Sequence, residues 1–133
     1  MGIMKHECFI IKRKVIVRAQ IKGVNDDMKF KFILDTGASK TVIDESVVRQ
    51  LGFDFKHLKI GERLMTAGGG TNSKIIELPK LTLLGKDIIN FEVNVIKFPP
   101  QITFFSDGLI GMDFLLQFDN IKFDFEKKII ETQ

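Results

Sequence analysis

The residues best suited to chemistry in this chain sit together: Leu34-Asp35-Thr36-Gly37-Ala38-Ser39. The run Phe30-Lys31-Phe32-Ile33-Leu34 favours a strand and drives a carboxylate to its end, a costly place for a charge unless chemistry requires it. Asp-x-Gly alone more often marks an ordinary turn than a site, so the context of Asp35 has to carry the argument. A carboxylate can take a proton from water or, once protonated, give one to a leaving group. Chemistry that needs both acts at once needs two such groups, and the chain supplies one Asp-Thr-Gly. Other candidates are weaker. His6 and Cys8 are too few to make a tetrahedral metal site, so no metal or cofactor is expected. Gly68-Gly69-Gly70 lacks the following Gly-Lys-Ser/Thr of a phosphate cradle and reads as a mobile hairpin tip.

The elements that must position Asp35 follow from periodicity. Val15, Val17, Ala19 and Ile21 alternate with Ile16, Arg18 and Gln20, residues 23–27 form a turn, and Phe30, Phe32 and Leu34 resume the alternation. That hairpin delivers Asp35 to its far end, on the face opposite the three apolar residues. Thr41-Val42-Ile43 is a short strand, and Asp44 caps a helix over Glu45 to Leu51 that Gly52 ends. Residues 63–67 and 72–76 pair around the glycine tip. Residues 81–84 and 91–96 are strands about a Gly85-Lys86-Asp87 turn, and Pro99-Pro100 punctuates the chain. Gly108 to Leu116 opens as a buried strand and continues as a short helix capped by Asp113. Residues 121–125 and 128–131 close the chain as a hairpin.

A length of 133 residues suits one mostly-β domain over 1–133, with about 1–13 as an N-terminal extension or strand. Thirteen Phe with no Tyr or Trp point to packing, because Phe has no polar tip. A net charge of +3 is modest, and Lys12-Arg13-Lys14 reads as a solvated strand end. A basic nucleic-acid barrel built on Lys29-Phe30-Lys31-Phe32 is set aside because those Phe alternate inward as a core would. No nucleic-acid partner is expected. No apolar run approaches the roughly 18 residues of a membrane span, and Met1 to His6 shows no signal-peptide core, so no membrane partner and a cytoplasmic location are expected. The lone Cys8 fits a reducing compartment.

Taken in order, Leu34 to Ser39, the glycine tip, and Gly108-Leu109-Ile110-Gly111-Met112-Asp113-Phe114-Leu115 resemble the retropepsin-like aspartic proteases, single-domain relatives of retroviral proteases and of one pepsin lobe. The similarity spans roughly residues 14 to 131. It implies a closed or partly open β-barrel of the acid-protease type with one or two short helices. It also implies that Asp35 is the catalytic carboxylate, that the Thr36 hydroxyl helps lock two loops together, and that Gly37 permits close approach. Ala38, Ser39 and Ile110 would contact substrate beside a flap of Thr66, Ala67, Gly68, Gly69 and Gly70, with Leu109-Ile110-Gly111 packed beneath the loop. Retroviral members usually carry an acidic residue at the place of Ser39 and an Arg at the place of Met112, ion-paired; here both are absent together.

The function so implied is an aspartic endopeptidase acting on extended polypeptides as a homodimer, with an Asp35 dyad under Gly-rich flaps and an interface that includes terminal strands such as Lys128 to Glu131. The alternative is a non-catalytic peptide-binding module of the same fold.

Overall fold

The computed structural model describes residues 2–66 and 69–133, the side chain of Thr66 excepted. Within them lie strands β1 (Met4–Glu7), β2 (Phe9–Ile11), β3 (Lys14–Lys22), β4 (Asp27–Leu34), β5 (Val42–Asp44), β6 (Lys59–Thr66), β7 (Gly69–Leu83), β8 (Lys86–Ile96), β9 (Gly108–Ile110), β10 (Ile121–Asp124) and β11 (Ile129–Thr132). Helices α1 (Glu45–Gln50), α2 (Pro100–Thr103) and α3 (Met112–Leu115) are short, and a 3-10 turn spans Phe55–His57. The chain is mostly β, as expected.

Period-two alternation builds the centre. Val17 faces Phe32 and Ala19 faces Phe30 across the antiparallel β3–β4 pair, and all four are buried. Burying a side chain the size of Phe32 stabilises the fold by about 1.5–3 kcal/mol. Strand β9 then lies parallel to β4, with Phe32, Ile33 and Leu34 beside Gly108, Leu109 and Ile110. At Gly108 a Cβ would meet the Val42 carbonyl oxygen at 2.6 Å, so only glycine lets β9 pass between β4 and β5. Phe114 of α3 fills the space below, edge-on to Phe91 and Phe118. The Phe-rich composition is spent on this packing.

The larger sheet runs β2-β3-β4-β9-β5-β8-β7-β6, and an added β3–β7 pairing turns that order back on itself. Its second face carries two smaller apolar groups: Ile16, Ile33 and Phe105 with Leu109, and Val42, Ile96 and Phe98 with Leu64 and Ile102. Since Ile33 precedes Asp35 by two positions, this is the face from which the carboxylate projects.

The structure corrects two expectations. Helices number three among the described residues, not one or two, because Pro100 starts α2 where the proline pair suggested only a stop; a proline in the first turn gives up an N–H that has no helical partner anyway. Strand β7 is continuous where two strands were expected, since Pro79 falls between the paired positions Leu78↔Phe91 and Lys80↔Ile89 and so breaks no ladder bond. Strand β11 is flanked on both sides within the chain, in the order β1-β11-β10, so any added strand would have to join at β1 or β10. The N-terminal region forms β1 of this small sheet and edge strand β2 of the larger one.

His6 of β1 shares a 3.1 Å hydrogen bond with the Thr132 hydroxyl of β11, and burial lowers its pKa below the ordinary 6.5. A histidine held neutral contributes stability that is complete above the unfolded pKa and is lost as pH falls from there toward the lower folded value. Thermal melts of wild type should therefore fall in Tm as pH drops below 6.5. His6→Gln should flatten that part of the profile.

Candidate active site

Asp35 sits one residue beyond β4, and its N–H still bonds the Ile110 carbonyl (2.9 Å), so the parallel β4–β9 ladder carries the backbone to this point. The chain then turns sharply. The Ala38 N–H reaches the Asp35 carbonyl at 3.1 Å, and the Gly37 N–H donates to Asp35 Oδ1 at 2.9 Å, fixing one oxygen of the carboxylate. A Cβ at Gly37 would stand 3.2 Å from that same oxygen, so any larger residue would crowd the carboxylate. Asp35 and Ala38 are half-buried, whereas Thr36, Gly37 and Ser39 are exposed. A carboxylate held from below and open above can exchange protons with a water or a bound ligand.

What holds the loop is a seam to the β9–α3 segment. The Met112 N–H donates to the Ala38 carbonyl at 2.8 Å and the Asp113 N–H to the Ser39 carbonyl at 3.1 Å. Asp113 is also an acceptor: its Oδ2 takes the Thr41 N–H at 3.0 Å and its Oδ1 the Thr41 hydroxyl at 2.7 Å. The Thr41 oxygen in turn accepts the Gly111 N–H at 3.1 Å. Thr41 is only 1% exposed and Asp113 half-buried, so the Thr41 N–H and hydroxyl would be expensive to leave without these partners. Contact this close needs Gly111, where a Cβ would meet the Lys40 carbonyl group at 2.6 Å.

This seam involves residues the sequence reading placed elsewhere. Asp113, expected as a helix cap, lies inside the first turn of α3, whose N-cap is Gly111. Thr41, read only as strand, is its partner. Together they tie the loop to α3 with a hydroxyl and a carboxylate, where the ion pair between positions 39 and 112 is missing. Ile110 is fully buried at 0% exposure on the side of Phe32 and Phe114, so its expected contact with substrate does not fit this arrangement. Its neighbour Leu109 faces the Asp35 side.

The second expected part is the β6–β7 hairpin, in which Thr66 pairs with Gly69 and Met65 with Gly70. Ala67 and Gly68 lie outside the described residues. Arg63 Nη2 donates to the Gly70 carbonyl at 3.2 Å. Lower down, the buried Ser73 hydroxyl donates to the Glu62 carbonyl at 2.5 Å and accepts the Asn94 amide at 3.0 Å. The register slips between Ile60 and Arg63, and Gly61 is needed there because a Cβ would sit 2.6 Å from Ser73 Oγ. That bulge presents the Glu62 carboxylate to Lys40 Nζ at 2.5 Å, joining the arm of the hairpin to the loop that holds Asp35. The hydrogen bond that Lys40 donates to Glu62 raises the Lys40 pKa. Leu64 packs on Val42, Ile96 and Phe98, while Met65 is 82% exposed. Among the described residues no group of three or more His, Cys, Asp or Glu is placed to hold a metal.

The family model for aspartyl proteases matches residues 17–114. An uncharacterized protein of Rickettsia prowazekii (strain Madrid E) is 29% identical over 104 residues, which cover 78% of this chain and 42% of that protein. The chain thus spans less than half the length of that relative. Among solved structures, a retropepsin-like aspartic protease from Rickettsia conorii superposes with a TM-score of 0.73 at 24% identity, covering 98% of this chain and 91% of that one. EIAV protease complexed with the inhibitor HBY-793 gives 0.63 at 17% identity, covering 82% and 91%. The retroviral protease-like domain of Ddi1 from Leishmania major gives 0.58 at 20% identity, covering 85% and 82%. The fold is therefore retropepsin-like.

Removing the Asp113 carboxylate strands the Thr41 N–H and hydroxyl in the interior. Asp113→Ala should lower unfolding stability by about 1–3 kcal/mol in a urea titration. Gly111→Ala, which pushes a methyl into the Lys40 backbone, should broaden or shift the amide resonances of residues 35–41 in a heteronuclear NMR spectrum more than those of β10. Unchanged resonances in the loop would refute the seam as its support.

Proposed function

This chain belongs to the aspartyl protease family, and we propose that it is an aspartic endopeptidase that acts as a homodimer, cutting extended polypeptides between two copies of Asp35. The observation that supports this most is the fixed and accessible Asp35 carboxylate, with the Gly37 N–H on one oxygen and the loop clamped below by Thr41 and Asp113.

Two carboxyls in contact resist ionising together, so one proton is shared between them. The ionised Asp35 takes a proton from the water lying between the two as its oxygen attacks the peptide carbonyl carbon. The protonated partner carboxyl donates to the carbonyl oxygen, giving a tetrahedral intermediate. Collapse then breaks the C–N bond as the nitrogen receives a proton, and the shared proton is restored. One Asp-Thr-Gly per chain makes a two-fold pair the simplest way to bring the two groups together. Thr36 is exposed, which supports a role for its hydroxyl in a contact between loops of such a pair.

The β6–β7 hairpin acts as the flap, its tip at Gly69 and Gly70 closing over bound peptide. Leu64, Ile102 and Leu109 give the Asp35 face an apolar lining, which favours bulky apolar residues beside the cut. The Lys40–Glu62 ion pair couples flap arm and catalytic loop. Both partners are about half exposed, so its contribution is to position the arm and not to stability.

Asp35→Asn should reduce peptide cleavage by at least about 10²–10⁴-fold while the variant stays folded and dimeric by sedimentation. Wild type should show a bell-shaped pH profile belonging to the pair. Comparable cleavage by the folded Asn variant would overturn the assignment. Peptide binding by wild type with no cleavage at any pH would leave a peptide-binding module of the same fold. Deleting Gly69 and Gly70 should cut kcat/KM by more than it lowers Tm, and unchanged kinetics would remove the flap from the mechanism.

A further inference from the structure

The face of the sheet that bears Asp35 does not end at the apolar lining. Along β4 the same face carries Ile33, Lys31 and Lys29, and along β3 it carries Ile16, Arg18 and Gln20. Arg18 stands directly opposite Lys31 in the antiparallel register, with Lys29 on the diagonal. Like charges placed directly across a ladder repel. None of the three takes part in an ion pair among the described residues. Asp27, at the far end of β4 on this face, is engaged by the Gln20 amide at 3.1 Å, and Asp107 accepts the Lys31 backbone N–H at 2.9 Å. The Arg18 guanidinium is seated over the Phe9 ring, 5.0 Å from its centroid. Arg18, Gln20, Lys29 and Thr82 also line an open hollow of about 250 Å³. Three cations are thus gathered on one face, one of them braced by an aromatic ring; Glu7 shares a hollow with Arg18 and Phe9, and Asp27 ends the same strand face, yet neither is ion-paired to the three among the described residues.

Geometry connects them to the cut. Lys31 lies four strand positions before Asp35 and Lys29 six, or about 13 and 20 Å at strand rise. An extended peptide covers those distances in about four and six residues. Between the two zones lies Phe105, packed on Ile16 and Ile33, with Phe104 beside it 86% exposed. A chain leaving the cleft along this face crosses an aromatic step and then meets the cations.

We propose that Arg18, Lys29 and Lys31 form an exosite for acidic side chains of a polypeptide substrate, four to six residues from the scissile bond. The proposal rests on the protease reading and adds the substrate class: apolar at the cut and acidic at a distance from it. Wild type should cleave a peptide with a Glu/Asp block at that distance with a kcat/KM about tenfold above its Gln/Asn counterpart at low ionic strength. The ratio should fall toward one at high salt, which screens exposed charge. It should also fall toward one in the Arg18→Gln/Lys29→Gln/Lys31→Gln variant. Lys31→Glu, which replaces a repulsive cross-strand pair with an attractive one and so preserves the fold, should abolish the preference by itself. A block moved next to the cut should confer no gain.

A preference that survives the triple substitution, or a wild type with none, would overturn the exosite. Anisotropy of a fluorescent acidic peptide on the folded Asp35→Asn chain separates this question from catalysis. If wild type cuts nothing yet the peptide binds and the triple substitution weakens it about tenfold, the basic surface stands while the protease reading falls. Equal binding to the triple variant, or tighter binding of a single-stranded oligonucleotide than of the peptide, would overturn the polypeptide assignment.

Discussion

Two hydrogen bonds from Thr41 to the Asp113 carboxylate hold together segments of chain about seventy residues apart, and the geometry around Asp35 depends on them. They work because glycines bring the backbones close enough: at Gly108, where β9 slips between β4 and β5, and at Gly111, where α3 starts against Lys40. The carboxylate of Asp113 neutralises its own burial by accepting an N–H and a hydroxyl at once, which an apolar residue there could not do. A loop that must hold a second carboxylate above gains from a support that carries no mobile long side chain. Threonine, with one stiff χ1, is such a support.

The two faces of the central strands divide the labour. Phe30, Phe32 and Ile110 look into the main core with Phe114, while Ile33, Leu109 and Val42 look out beneath Phe105, Phe98 and Leu64. A sheet apolar on both faces reads as a continuous hydrophobic run, and Phe32-Ile33-Leu34 is one. An aromatic set without hydroxyl or indole groups suits this arrangement, since no ring brings a polar atom that would need a partner in either layer.

Legibility followed the range of the interaction. The β3–β4 hairpin, the cap at Asp44 and helix α1 were readable because each is decided by residues close in sequence: alternation, an N-cap side chain on Ser46, a glycine stop. The position of Asp35 on the outer face was readable from the same alternation. Thr41 and Asp113 were not, because a threonine in a strand and an aspartate near a helix start each have a sufficient local explanation. Nothing local reports that the two meet. Ile110 was expected to contact substrate from its place in the motif, yet alternation along β9 turns it into the core and gives Leu109 the outer face. Helix α2 was hidden by reading two prolines only as punctuation.

The arrangement of the small sheet bears on how the chain reaches this state. Strand β1 has β11 for its neighbour, Met4 beside Thr132, so its ladder closes a loop of nearly the whole described chain. During synthesis β1 therefore stays unpaired until residues 129–132 have cleared the ribosome, whatever has condensed before. Closing so long a loop adds only slowly to the entropic cost, but it makes the step late. In the interval β2 can already pair with β3, Phe9 beside Ile16, whereas Met4 to Glu7 wait for their ladder partner.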